Sequence, residues 1–250
     1  MIDLKGKTIF ITGASSGIGR ECAVKAAQIG ANVILIARNP ERLKDVTNSL
    51  TGGSHLYFPC DVTDNDSLEG IISQSVEKLG PISGFIHCAG VESTTPLRNM
   101  NPARYEEMFG VNVFAAFEIV RLLSKKKYLS PSGSSFIFVG SVMGIRGEPG
   151  KVGYGSCKAA LLGGTKSMAL ELAPKNIRVN CILPGLVETE MSAKLFRSIP
   201  PRSKEETIKK HPLGLGQPAD VANLCMFLLS GLSRWITGAE ITIDGGYSAR

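Results

Sequence analysis

A doubly wound α/β fold, with a parallel sheet of seven strands covered by helices on both faces, follows from three observations. Short β-branched runs alternate with helix-length segments along the whole chain. The strand-like runs are continuously apolar rather than alternating, the pattern of strands buried on both faces. A glycine-rich turn lies between the first strand-like run and the first helical one.

The elements follow in order. Thr8 to Thr12 reads as a strand, Gly17 to Ile29 as a helix and Asn32 to Ala37 as a strand, a βαβ unit. Further strands are expected near His55 to Pro59, Gly84 to Cys88, Ser135 to Val139, Arg178 to Leu183 and Glu240 to Ile243, with helical stretches between them. The segment Gly185 to Pro218 reads as irregular. It holds Pro200, Pro201 and Pro212 and mixes apolar Met191, Leu195, Phe196 and Ile199 with charges. A loop of that length inside a domain is usually functional, often a lid, or else partly disordered.

At 250 residues, 43% hydrophobic and 20% charged, the chain suits one domain over 1–250 with a single large core and lacks the signature of disorder. The apolar runs Val33 to Ala37 and Leu224 to Leu229 fall far short of the ~18 residues a membrane span needs. The opening residues Met1 to Lys7 lack a secretory signal pattern, which points to the cytoplasm. Six cysteines (Cys22, Cys60, Cys88, Cys157, Cys181, Cys225) form no CxxC pair, and His55, His87 and His211 are scattered, so reduced thiols, ordinary structural histidines and no metal are expected. The net charge of +6 is diffuse. The densest run, Lys125 to Lys127, falls where a long helix should end, and cations there favour the helix dipole. With aromatic content of only 6% and no basic stripe, nucleic acid is not an expected partner.

Ligands of such sheets bind beyond the C-terminal ends of the strands. After the first strand comes Gly13-Ala14-Ser15-Ser16-Gly17-Ile18-Gly19, whose glycines permit the tight turn, backbone approach to a pyrophosphate and close helix packing. After the second, Ala37-Arg38-Asn39 carries no carboxylate for a ribose 2′-hydroxyl. Arg38, with Ser15 and Arg42 as helpers, instead suits the 2′-phosphate of NADP(H), although Arg38 also reads as the start of a solvated loop. Asp61-Val62 after the third strand is placed to meet an adenine, and Asp is also a common helix-start residue. Tyr154 and Lys158 share one helical face, and Ser141 follows the fifth strand, thirteen residues before the tyrosine. A phenol can give its proton to a carbonyl oxygen as hydride reaches the carbon. A lysine ammonium ~4 to 5 Å away is worth roughly 3 to 4 kcal/mol toward its phenolate.

On these motifs the whole chain, from the TGxxxGxG turn to Ile243-Asp244-Gly245-Gly246, resembles the short-chain dehydrogenase/reductase family, with its Rossmann-like fold. The resemblance implies that Asn112 completes a catalytic tetrad with Ser141, Tyr154 and Lys158 by holding a water. It implies that Lys158 meets the nicotinamide ribose and that Pro184, Gly185, Val187 and Thr189 embrace the nicotinamide. The family's Asn-Ala-Gly is here Cys88-Ala89-Gly90, which keeps the close approach at Ala89 and Gly90 but removes an amide tie. The layout most resembles 3-oxoacyl-acyl-carrier-protein reductases, implying NADPH/NADP+ as cofactor and a carbonyl or alcohol substrate on an acyl carrier. Arg121, Lys125, Arg146 and Lys209 are candidate contacts to an acidic carrier. Steroid or sugar dehydrogenation and a non-catalytic dinucleotide sensor are the alternatives. The family implies a homotetramer, for which Ala159, Ala160, Gly163 and Gly164 offer a close-packing surface or tight packing within one subunit.

Overall fold

In a computed structural model, which describes residues 2–198 and 200–249, seven parallel strands form one sheet in the order β3-β2-β1-β4-β5-β6-β7. The strands are β1 (Thr8–Thr12), β2 (Asn32–Ala37), β3 (His55–Pro59), β4 (Ile82–His87), β5 (Ser134–Val139), β6 (Ile177–Pro184) and β7 (Glu240–Ile243). Expected and observed strands agree within two residues. The main shift is β4, which starts at Ile82 because Tyr128 and Ser130 extend its backbone pairing, and which releases Cys88 to the loop beyond it.

Strand residues feed two cores in alternation. Phe10, Ile34, Phe85 and Phe136 face α3 (Asn65–Leu79), α5 (Ala115–Leu123) and α6 (Val152–Leu172). Ile9, Ile11, Leu35 and Ile137 face α1 (Gly17–Gln28), α2 (Pro40–Ser49) and α9 (Pro218–Leu229). Because both faces are buried, β1 and β5 carry no exposed residue, whereas the edge strands β3 and β7 do. α1 reaches the sheet closely because Cys22, Ala23, Ala26 and Ala27 on its inner face are small. Chain order reverses between β1 and β4, the switch point where such sheets open a ligand crevice.

The segment 185–218 departs from the irregular loop expected. It folds into α7 (Glu190–Ser198) and α8 (Pro201–Lys209), with Pro201 at the first helical position, where its missing N–H costs nothing. Ile199 lies outside the described residues, as does Met1. The lysine run also has a more specific role than a solvated terminus: Lys125 (2.7 Å) and Lys127 (3.3 Å) converge on Glu69 of α3. These cations hold the Glu69 carboxyl down at about 2.

Candidate active site

Two adjoining cavities occupy the C-terminal ends of the strands. The larger, about 630 Å³, runs from Gly13 to Gly19 past Arg38, Asp61 and Val62 to Ala89 and Gly90. The smaller, about 200 Å³, is lined by Ser141, Tyr154, Lys158, Pro184, Gly185 and the inner side of α7. Asn112, Gly90, Val187 and Thr189 also line the smaller cavity, and Gly90 and Thr189 are shared. The structure therefore brings the catalytic and dinucleotide-site residues expected from the sequence to one contiguous crevice.

The glycine turn is fixed by backbone contact. Gly13 has φ +64°, and a Cβ there would stand 2.7 Å from the Ala89 nitrogen; one on Gly19 would stand 2.3 Å from the Gly13 carbonyl oxygen. The turn therefore presses against both the β4 exit and the first turn of α1. Ser16 precedes that helix without capping it through its side chain, and the first turn holds no acidic residue. Its N–H groups and dipole are thus left for an anion, as a dinucleotide pyrophosphate requires.

Arg38 is exposed on the cleft wall. Arg42, expected as its helper, is instead paired with Glu190 of α7 at 2.8 Å, a partner invisible in sequence across so long a separation. One oxygen of Asp61 accepts from the backbone and hydroxyl of Thr63 (3.0 and 2.8 Å), and these bonds hold its carboxyl below the usual range.

Tyr154 and Lys158 leave the first turns of α6 toward the cavity, and the Lys158 ammonium lies 5.5 Å from the Tyr154 ring centre. The ammonium donates to the Val139 carbonyl at 2.9 Å, and burial pulls its pKa down. Burial pushes the Tyr154 phenol up to about 12, which the facing Ser141 hydroxyl only partly offsets. The lysine-driven fall expected from sequence is therefore overridden by desolvation. The phenol keeps its proton at neutral pH, the form that suits a proton donor. Ser141 accepts from the Met143 N–H at 3.1 Å, which leaves its own proton to be donated into the cavity.

Asn112 is fully buried in a π turn, residues 110–114, that joins α4 (Pro102–Phe109) to α5. Its amide nitrogen donates to Met108 (2.8 Å) and Val91 (3.0 Å), while Oδ1 has no protein partner. That oxygen faces Gly90, where a Cβ would lie 2.7 Å from it and 3.7 Å from the Lys158 ammonium. An orphaned acceptor this deep is costly unless a ligand or water uses it.

His87 was expected to be an ordinary buried histidine, and the structure gives it a specific structural task. Nε2 donates to the Val111 carbonyl (3.2 Å), Nδ1 accepts from the Thr12 hydroxyl (3.0 Å), and Thr12 accepts from the Ala89 N–H (3.2 Å). This relay ties the sheet centre to the loop of Asn112. Burial, followed by the Lys158 charge, lowers the His87 pKa to about 3. His211 is a second one: Nδ1 donates to Thr207 (3.0 Å), Nε2 accepts from the Leu186 N–H (3.2 Å), and the ring stacks on Tyr247. Neither histidine carries a spacing signal that would have revealed this.

The family model described as "Enoyl-(Acyl carrier protein) reductase" matches residues 13–248. A 3-oxoacyl-[acyl-carrier-protein] reductase of Thermotoga maritima is 36% identical over 97% of this chain and 98% of its own length. The solved structure of a short-chain type dehydrogenase/reductase from Mycobacterium marinum superposes with a TM-score of 0.91 at 33% identity, covering 100% of this chain and 98% of that one. The chain belongs to the short-chain dehydrogenase/reductase family. It is an oxidoreductase acting between CH–OH and C=O with a nicotinamide dinucleotide, and the glycine turn and bare α1 terminus fit that cofactor. A 7α-hydroxysteroid dehydrogenase solved with NADH and a 7-oxo bile acid is equally similar in fold, with a TM-score of 0.91, 31% identity and coverage of 98% and 95%. Family membership thus leaves the choice of ketone to the cavity wall.

Proposed function

We propose that this short-chain dehydrogenase/reductase is an NADPH-dependent reductase of 3-oxoacyl thioesters carried on acyl carrier protein, working in the cytoplasm as a homotetramer. The observation that carries the reading is a proton-holding Tyr154 facing a small, mainly apolar cavity that opens on the dinucleotide cleft. The bound dinucleotide supplies hydride to the carbonyl carbon. Ser141 donates to the carbonyl oxygen and holds it beside Tyr154, which gives the proton. Lys158 holds the nicotinamide ribose, and Asn112 Oδ1 holds the water from which Tyr154 is reprotonated. Pro184, Gly185, Val187 and Thr189 frame the nicotinamide, and Asp61 with Val62 borders the adenine.

NADPH is favoured over NADH because β2 ends in Ala37-Arg38 without a carboxylate, leaving a guanidinium to grip the 2′-phosphate. We read residues 1–250 as one catalytic domain in which 185–218 shapes the acyl site through Leu186, Met191 and Leu195. Of the basic residues considered for the carrier, Arg121 bonds Glu118 and Lys125 sits with Tyr128 beside the start of β4, at the far end of the sheet. The carrier contact therefore falls to Arg146 and Lys209, whose segments flank the cavity. No described helix is long and apolar enough to cross a membrane. For assembly, a Cβ on Gly164 would collide with the Phe117 ring, so that glycine packs within the subunit, whereas exposed Ala159, open Gly163 and exposed Leu170 leave one face of α6 to a second copy.

Titration with NADPH and NADH of the wild type and Arg38→Asp, followed by kinetics on acetoacetyl thioesters, steroid ketones and sugar ketones, tests the reading. Tighter NADPH binding that collapses in the variant, with turnover of thioesters, is expected. Loss of thioester turnover with retained steroid reduction would transfer the chain to the steroid-type reading.

A further inference from the structure

The smaller cavity holds a charge arrangement that the proposed chemistry does not use. Lys151 is the residue just before α6, one turn ahead of Tyr154, and its ammonium lies 5.9 Å from the Tyr154 ring centre. An ammonium at the positive end of a 21-residue helix, beside the reacting carbonyl, would make a strong receptor for an anion. It is not free to act as one. Glu92, on the loop leaving β4, pairs with it, and the Thr94 hydroxyl takes a second donor at 2.6 Å. The side chains of Lys151 and Glu92 are only 11% and 16% exposed, so water screens neither partner well. The two loops are also joined through their backbones, with the Thr95 N–H donating to Gly150 at 2.8 Å, which fixes Glu92 on its partner.

The remaining charges on this wall are also engaged. Glu148 adds a second carboxylate, held by the Tyr247 hydroxyl at 2.5 Å and paired with Lys210 at 3.8 Å. His211 is engaged on both ring nitrogens, with the Leu186 N–H and the Thr207 carbonyl. Lys158, on the far side of Tyr154, donates to the Val139 carbonyl. On the Lys151 side, a substrate carboxylate next to the reacting ketone therefore meets cations already paired with carboxylates, Lys151 with Glu92 and Lys210 with Glu148.

We propose that Glu92 is a specificity-determining residue that masks Lys151, so that the cavity admits ketones whose neighbouring group is uncharged, such as a thioester, ester or amide, and rejects free oxo acids. The proposal deepens the thioester reading and rests on it. It turns on charge rather than chain length, so substrates that share one reacting ketone, compared across variants, isolate it.

Ethyl acetoacetate and acetoacetate share the reacting ketone and differ at its neighbour by one charge and by the ester's ethyl group, whose contribution cancels when the ratio is compared between variants. The measured quantity is the ester-to-acid ratio of kcat/KM, or of affinity for the NADP+ complex by calorimetry where neither is turned over. The wild type is expected to favour the ester at least tenfold. Glu92→Gln, which unmasks Lys151, is expected to lower that ratio at least tenfold. Lys151→Met, which leaves Glu92 uncompensated, is expected to raise it, and this second variant decides the matter should the first fail to fold. A wild type that takes the acid as well as the ester, or a Glu92→Gln ratio that moves less than tenfold, would overturn the filter. Failure of all acetoacetyl thioesters with a ratio that still shifts as expected would instead count against the thioester reading and leave the filter standing.

Discussion

The two walls of the crevice are built in different ways. On the dinucleotide side, position is set by backbone: a glycine turn wedged between the β4 exit and the first turn of α1, on strands without an exposed residue. On the substrate side it is set by side chains that meet from distant segments: Arg42 with Glu190, His211 with the Leu186 backbone and Tyr247 with Glu148. Backbone constraints admit few substitutions. Side-chain contacts can be exchanged one at a time, which is how one fold comes to serve both acyl-carrier and steroid relatives.

The largest effect is expected where the walls meet. Tyr154→Phe removes the proton donor and keeps the packing, so kcat should fall roughly 10² to 10⁴-fold while NADPH affinity stays within about twofold, since the ring still fills its place. Stopped-flow hydride transfer alongside a binding titration separates the two; an unchanged kcat would remove Tyr154 from the chemistry. Next comes Gly19→Ala. A Cβ 2.3 Å from a backbone oxygen cannot be relieved by rotating a side chain. About 1 to 3 kcal/mol of stability should be lost to overpacking, together with most dinucleotide affinity. If denaturant unfolding and titration both match the wild type, the dinucleotide wall is not the rigid one.

The same contrast explains what could be read in the sequence. The glycine turn, the apolar strands and the Tyr154–Lys158 spacing are local patterns, each with a local physical cause, and the crevice gathers all of them. The segment 185–218 reads as irregular because its prolines and mixed polarity look so, although Pro201 starts a helix comfortably. His87 and Glu92 gave no signal because their partners are tens of residues away: Thr12 and Val111 for the histidine, Lys151 for the glutamate. The height of the Tyr154 pKa follows from burial, which the packed cavity sets and the Tyr154–Lys158 spacing alone does not show.

His87 offers a test of rigidity by pH. Its folded pKa of about 3 lies below the ordinary 6.5, so the folded protein binds fewer protons than the unfolded chain between those values. The stability tied to the neutral ring is complete above about pH 6.5 and is lost as pH falls toward 3. At pH 5 the loss should reach about 2 kcal/mol. Unfolding free energies at pH 7.5 and 5 measure it. In His87→Gln, which can still bond Thr12 and Val111, that part of the pH slope should vanish, and persistence of the full slope would assign it elsewhere.

The smallest effect is expected at Arg42 and Glu190, where the two walls touch. Their side chains are 52% and 58% exposed, so solvent and salt screen the pair. If Arg38 reads the 2′-phosphate, Arg42 one turn along is a second cation that Glu190 keeps occupied. Glu190→Gln should then tighten NADPH binding by less than about fivefold, the scale of one surface pair, leave NADH unchanged, and lose the effect in high salt. Weaker binding of both dinucleotides would mean the opposite: the pair closes α7 over the cleft, and the substrate wall takes part in holding the cofactor. That result would erase the division between a backbone-built wall and a side-chain-built one at the point where they meet.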